Sequence, residues 1–233
     1  MKPHPYILLA LFLFLTGCAS NQTPPIDSLQ QILKDEEAQL VGAPLSEQTT
    51  APSPKQGPPK LGLYVMPTGF LHHEFEWTDA DRETLQAWTN GLQREGLISG
   101  SSFLHLSSVK GNQWAQLRES AVRYGADLLL VVNGAAVVDR YNNYKGTLLY
   151  WTILGSYYAD GTHSDALCLV RSSLWDVRTG TKLAEEEAQG TAKVVGPSGR
   201  IEDQDQITEA RRQALAQLMK KLRDDIIRIG RER

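Results

Sequence analysis

The sequence predicts an α/β fold: a central sheet flanked by helices in the order β-α-β-α-β-β-β-α, with a long hairpin in the C-terminal half and a final amphipathic helix. Three observations carry this. Leu61-Gly62-Leu63-Tyr64-Val65 and Leu128-Leu129-Leu130-Val131-Val132 are apolar runs of strand length, and the segments between them place apolar residues at helical spacing. Two long runs meet at a glycine-containing turn, Asp176-Val177-Arg178-Thr179-Gly180-Thr181. The closing segment carries one continuous apolar stripe. With 233 residues and 41% hydrophobic composition, the chain can build one fair-sized core.

The first strand runs from Leu61 and is stopped by Pro67. A helix follows: Thr78 with Asp81 three residues on is a capping signature, Leu85, Trp88 and Leu92 make one face, and Gly96 ends it. Phe103-Leu104-His105-Leu106 reads as a second strand. Trp114, Leu117, Ala121 and Tyr124 then fall at helical spacing, with Gly125 as the stop. The branched run at 127–132 reads as a strand buried on both faces. Ala166 to Val177 and Lys182 to Val195 read as two long strands. The second alternates Ala184, Ala188, Gly190 and Ala192 with Glu185, Glu187 and Gln189, so one of its faces reads as wet. The last helix spans about Asp205 to Ile229, with Ile207, Ala214, Leu218, Leu222 and Ile226 along one side and Arg212, Lys220, Lys221 and Asp224 along the other.

Ahead of this domain (60–233) the chain has a different character. Lys2 gives a positive start, Tyr6 to Leu15 is uncharged and apolar, and Leu15-Thr16-Gly17-Cys18 leads through small residues to a cysteine. That is a signal-peptide pattern; a spanning helix needs about 20 apolar residues. Residues 1–17 resemble a lipoprotein signal, which implies cleavage before Cys18 and diacylglycerol on its sulfur. Ala19 stands where an inner-membrane retention aspartate would sit, which favours the outer membrane, with the domain facing the periplasm. Several acyl chains, at about 0.8 kcal/mol per buried CH₂, make a stable anchor. Residues 18–59 read as a proline-rich tether, opened by Thr23-Pro24-Pro25 and closed by Pro52 to Pro59. Within it, Asp27 to Ala38 patterns as a short helix whose Leu29, Ile32 and Leu33 either dock on the domain or a partner or form only transiently. Loss of Lys2 takes the formal charge from −3 to −4, which gives nucleic acid no footprint. Of the two cysteines, Cys18 carries the lipid and Cys168, in an apolar stretch, reads as a buried thiol with no disulfide partner.

Tyr124-Gly125-Ala126-Asp127 feeding a buried strand, with Leu174-Trp175-Asp176-Val177-Arg178-Thr179-Gly180-Thr181 in a later hairpin, resembles a group of envelope domains. The group comprises the periplasmic domain of the curli secretion lipoprotein CsgG, the activator lipoprotein LpoB and the amino-terminal domain of TolB. The likeness covers roughly residues 60–229 by element order. A weaker one links the chain to rhombotarget lipoproteins. The resemblance implies scaffolds, activators or channel formers rather than enzymes, and so protein binding as the default function.

The most unusual stretch is 141–158, where Tyr141, Tyr144, Tyr150, Trp151, Tyr157 and Tyr158 flank a short apolar centre. Aromatic rings beside an apolar band suit a membrane interface, and a barrel strand needs only about 9–11 residues to cross. The stretch therefore reads either as a hairpin arm touching a membrane or partner, with Gly161 near its tip, or as an insertion covering the core. His72-His73-Glu74-Phe75-Glu76 is the one cluster of metal-ligand type, but Glu76 occupies the place of the second histidine that a zinc-protease helix needs. Nucleophile elbows and phosphate loops are missing, and Glu185, Glu186 and Glu187 read as a solvated run. The expectation is a lipid-anchored envelope protein, without cofactor, that binds another envelope protein or itself. The alternatives are a subunit of an oligomeric secretion channel and a metal-dependent hydrolase using His72, His73 and Glu74.

Overall fold

The computed structural model describes residues 26–41, 57–67, 75–105, 113–142, 162–197 and 200–232. Its elements are α1 (Ile26–Val41), β1 (Lys60–Val65), α2 (Asp79–Arg94), β2 (Gly100–Phe103), α3 (Gln113–Arg123), β3 (Leu128–Asn142), β4 (Thr162–Asp176), β5 (Lys182–Gly196) and α4 (Asp203–Glu232). The strands form one mixed sheet ordered β2-β1-β3-β4-β5. The β2-β1-β3 side is parallel and the β3-β4-β5 side antiparallel. The order of elements is the one the sequence predicts, with α1 added in front.

Strand alternation sends two sets of side chains to opposite faces. Leu61, Leu63, Leu128, Leu130, Val132, Cys168, Val170 and Leu174 point to the layer formed by α2 and α4, where they meet Leu85, Leu92, Ile207, Leu215 and Leu218. Tyr64, Leu129, Val131 and Trp175 point to α3, against Trp114 and Leu117. Leu128–Val132 is thus buried on both faces, as its unbroken apolar run requires.

Local signals explain several boundaries. The Thr78 hydroxyl accepts from the Asp81 backbone N–H, and the Asp81 carboxylate accepts from Thr78 N–H at 2.8 Å, a complete capping box. Gly96 and Gly125 end α2 and α3 in left-handed backbone, with φ of +73° and +70°. Gly180 takes φ +70° to close the β4–β5 turn, where Asp176 Oδ1 accepts from Thr179 N–H at 2.9 Å.

Other expectations are corrected. The second strand is Gly100–Phe103, not 103–106; Leu104 is buried just beyond it and donates its N–H to Leu63 O at 2.7 Å. Tyr124 is 52% exposed, because α3 stops at Arg123 and the chain reverses at Gly125 before the helical stripe reaches it. The third strand continues ten residues past Val132, through Gly134-Ala135-Ala136, where Phe75 lies so close over Gly134 that a Cβ there would fall 2.5 Å from the ring. The last helix begins at Asp203 and runs to Glu232. Its neighbour β5 comes so near that a Cβ on Gly190 would sit 1.9 Å from Ala210 O.

The segment read as tether contains a helix packed on the sheet. α1 buries Leu29 and Leu33 against Ala135 and Leu169, and Leu40 against the α3-side core; Ile32 is only half-buried. Docking settles the two readings of this helix, because the folded body includes residues 26–41.

Candidate functional site

β1 pairs with β3 only as far as Val65 opposite Val132. Beyond that point β3, β4 and β5 continue as a three-stranded ribbon through Asn142 opposite Thr162 opposite Gly196. Its last row on the α1 side is Tyr141, His163 and Val195. The Tyr141 ring stacks flat on His163, with centroids 4.9 Å apart and planes 7° from parallel. Tyr141 is 46% and Val195 52% exposed. One row inward Lys193 Nζ meets Asp165 Oδ2 at 2.9 Å, a hydrogen bond that raises the lysine pKa. The next row, Val137, Leu167 and Thr191, brings the ribbon to Ile26 of α1.

The opposite face is braced by the start of α4. Ser164 Oγ donates to Asp203 Oδ1 at 2.8 Å, and Arg140 donates to Ile201 O at 3.0 Å while pairing with Asp203 at 3.5 Å. These bonds tie the ribbon end to α4 on the side opposite the row of Tyr141, His163 and Val195.

Of the residues singled out from sequence, Tyr141 therefore lies at this end. Tyr144, Tyr150, Trp151, Tyr157 and Tyr158 fall in 143–161, outside the described residues, as do Cys18 and His72-His73-Glu74. The geometry does correct the arm. β4 begins at Thr162, paired with Asn142, so the returning strand starts four residues before the expected Ala166, while Gly161 lies outside the described residues. Among the described residues no group of three or more His, Cys, Asp or Glu side chains is placed to hold a metal, and no helix is long and apolar enough to cross a membrane. Cys168 is fully buried, and burial pushes its thiol up to about 12.

Two buried charge clusters escaped the sequence. Arg171, 6% exposed, lies between α1 and β5 and pairs with Glu37 (3.4 Å), Glu187 (3.5 Å) and Glu185. Lys182 Nζ bridges Glu37 at 2.9 Å and Glu185 at 2.7 Å. Glu186 turns to the other face, 3.6 Å from Lys221. Glu185 and Glu187 thus belong to an ion network that fastens α1 to the sheet, with Glu185 still exposed at its edge. The signal was Arg171, the basic residue directly after the apolar run Ala166–Val170.

The second cluster is Arg211, 3% exposed on α4. It pairs with Asp81 at 3.0 Å, donates to Glu76 O at 2.7 Å and lies over the Phe75 ring. Asp81 thereby caps α2 and ties α2 to α4, and the approach to α2 is pinned through Glu76. Both clusters are closed by their own partners, so they lock elements together and offer no vacant ligand position.

No protein-family model matches the chain, and no curated protein matches it. Solved structures similar to it include a leucine-to-methionine variant of the PelC dodecamer from Paraburkholderia phytofirmans, at 17% identity over 77% of this chain and 96% of that one, with a TM-score of 0.34. Lipoprotein GNA1162 from Neisseria meningitidis is similar at 14% identity over 73% of this chain and 99% of that one, TM-score 0.30. The LpoB C-terminal domain from Salmonella enterica is similar at 12% identity over 71% of this chain and 98% of that one, TM-score 0.31. The structural neighbours thus include lipoproteins, at scores that do not extend to a shared activity.

Proposed function

We propose that this chain is a lipid-anchored accessory protein of the bacterial envelope, not an enzyme, and that it acts by binding. Cys18, preceded by Leu15-Thr16-Gly17, is the anchor, at the outer membrane given Ala19. The observation that carries the binding role is the row of exposed Tyr141, half-buried His163 and exposed Val195 on a braced ribbon end. Tyrosine in such a place supplies a large, stiff contact with a polar tip, the chemistry enriched at protein interfaces. The proposed contact residues are Tyr141 together with Tyr144, Tyr150, Trp151, Tyr157 and Tyr158, which follow it in the sequence outside the described residues. Its partner is another envelope protein or a second copy of this chain.

The test is a photo-crosslinking residue in place of Tyr141, in cells making the acylated protein. A discrete adduct of higher mass is expected, and its mass tells self-association from a second protein. Irradiation that yields no protein adduct, with the protein folded and acylated, would refute the binding role assigned to this end.

A further inference from the structure

α1 has a direction on the sheet. Leu40 packs beside Tyr64 and Trp114, Glu37 reaches Lys182 and Arg171, Asn133 Nδ2 donates to Leu33 O at 2.9 Å, and Leu29 sits on Ala135 and Leu169. Ile26, like Val137 and Leu167, packs on the edge of that cluster. Followed from Leu40 to Ile26, these contacts move along β3 and β4 away from the turn at 177–181 and toward the row of Tyr141, His163 and Val195. The start of α1 therefore aims at the ribbon end, and the chain ahead of it leads back to Cys18.

We infer that docked α1 is a strap that turns this ribbon end toward the lipid surface holding the anchor. The inference rests on the reading of Cys18 as the lipidated residue. Eight peptide units separate Cys18 from Ile26, a reach of at most about 29 Å. From the level of Val137 to Asn142 is five residues of strand, about 17 Å. The leash thus extends only about 10 Å beyond the last described pair of the ribbon. In the other direction, from Leu167 to Asp176 is nine residues, about 30 Å, the whole length of the leash. While α1 is docked, the leash reaches past the ribbon end with slack. It would have to be fully stretched to come level with the hairpin turn, so the ribbon end is the one favoured at the bilayer. Without docking, the leash would run to Lys60, 42 peptide units and up to about 150 Å, and would favour neither end.

The chemistry of the end fits that placement. Tyr141 and His163 form a stacked pair with polar tips, Val195 is exposed beside them, and one row inward Lys193 is paired with Asp165. Amphipathic rings with polar tips are what the headgroup region accommodates. A protein that binds this end binds it at the membrane surface.

The acylated full chain, reconstituted in phosphatidylethanolamine–phosphatidylglycerol vesicles carrying a headgroup-linked quencher, tests this. Cys18 is blocked by its lipid and Cys168 is buried, so a fluorophore attaches selectively at Val195→Cys or at Arg178→Cys in the hairpin turn. Quenching at position 195 is expected to exceed that at 178 several-fold. In a second pair of proteins, Leu29→Asp with Leu33→Asp frees α1, and the difference should collapse while near-ultraviolet circular dichroism keeps the domain signal. Equal quenching at 195 and 178 in bound, acylated protein, or stronger quenching at 178, overturns the strap and leaves the anchor standing. Protein that carries no diacylglycerol by mass and does not bind the vesicles overturns the anchor, and the strap with it.

Discussion

Replacing Gly190 with alanine sets a single methyl against the C-terminal helix. The added Cβ would lie 1.9 Å from Ala210 O, 2.8 Å from Ala214 N and 2.9 Å from Ala210 C, all backbone atoms with no rotamer to yield. Contacts under 3.0 Å are not tolerated by a real Cβ, so α4 and β5 must separate by more than about 1 Å at this point. Ile207, Leu215, Leu218 and Leu222 hold α4 on the sheet, each at 1% exposure or less. Burial of four such side chains contributes about 8 kcal/mol, and a gap of this size forfeits a quarter to a half of the contact energy around it. The expected loss is about 2–4 kcal/mol, or about 5–15 °C in Tm for a domain of this size. Urea unfolding followed by near-ultraviolet circular dichroism measures it. Gly230→Ala is the control: it lies on the same helix with nothing within 4 Å of its Cβ, and should gain about 0.5 kcal/mol. A loss below about 1 kcal/mol for Gly190→Ala would refute the close-packed joint between α4 and β5.

Two more outcomes follow from the charge and thiol chemistry. Cys168, with its thiol pushed up to about 12 by burial, should resist Ellman's reagent at pH 8 in the folded protein and react fully in denaturant; rapid native reaction would contradict its burial. In the α1 network, burial raises the Glu185 pKa, but its hydrogen bond to Lys182 and the charge of Arg171 outweigh this and hold it below the ordinary value. A carboxylate with a lowered folded pKa contributes stability that is complete above its unfolded value, about 4.3, and is lost as pH falls through the folded value. Lys182 is the reverse case. Burial lowers its pKa, hydrogen bonds to Glu185 and Glu37 raise it further, and its contribution fades only as pH climbs through the raised value above about 10.4. Hydrogen-exchange protection of α1 should therefore be level from pH 5 to 9 and fall below about pH 4 before that of β4; protection unchanged at pH 3 would exclude this network as the fastening of α1.

What the sequence made legible is local. The Thr78–Asp81 cap, the apolar run at 128–132, the turn closed by Gly180 and the stripe of α4 are each written within a few consecutive residues. What it hid depends on residues far apart in the chain. Gly134-Ala135-Ala136 carries little strand signal, and its small side chains make sense only once Phe75 and α1 are seen lying on them. Ser101 and Ser102 lay outside the strand expected at 103–106, because β2 exists by parallel pairing with β1, some forty residues away. Glu37 and Arg171 are 134 residues apart, so neither the docking of α1 nor the use made of Glu185 and Glu187 had a local trace. Of the candidate surface, Tyr141 was visible by aromatic density, whereas its stacking partner His163 was not, because cross-strand register joins them. Arg211 hid in the same way, one basic residue among many on a helix whose buried side it shares.

The position of α4 also bears on how the protein comes to be folded. Synthesis delivers the chain N-terminus first, and α4 emerges after every strand that it covers. Until it does, β3, β4 and β5 hold Leu130, Val132, Val170 and Leu174 toward a layer that does not yet exist in full. Arrival of α4 supplies the rest of that layer. A nascent chain without it is a sheet with an uncovered apolar face, attractive to chaperones and proteases alike. A stop codon early in that helix should therefore lower cellular abundance.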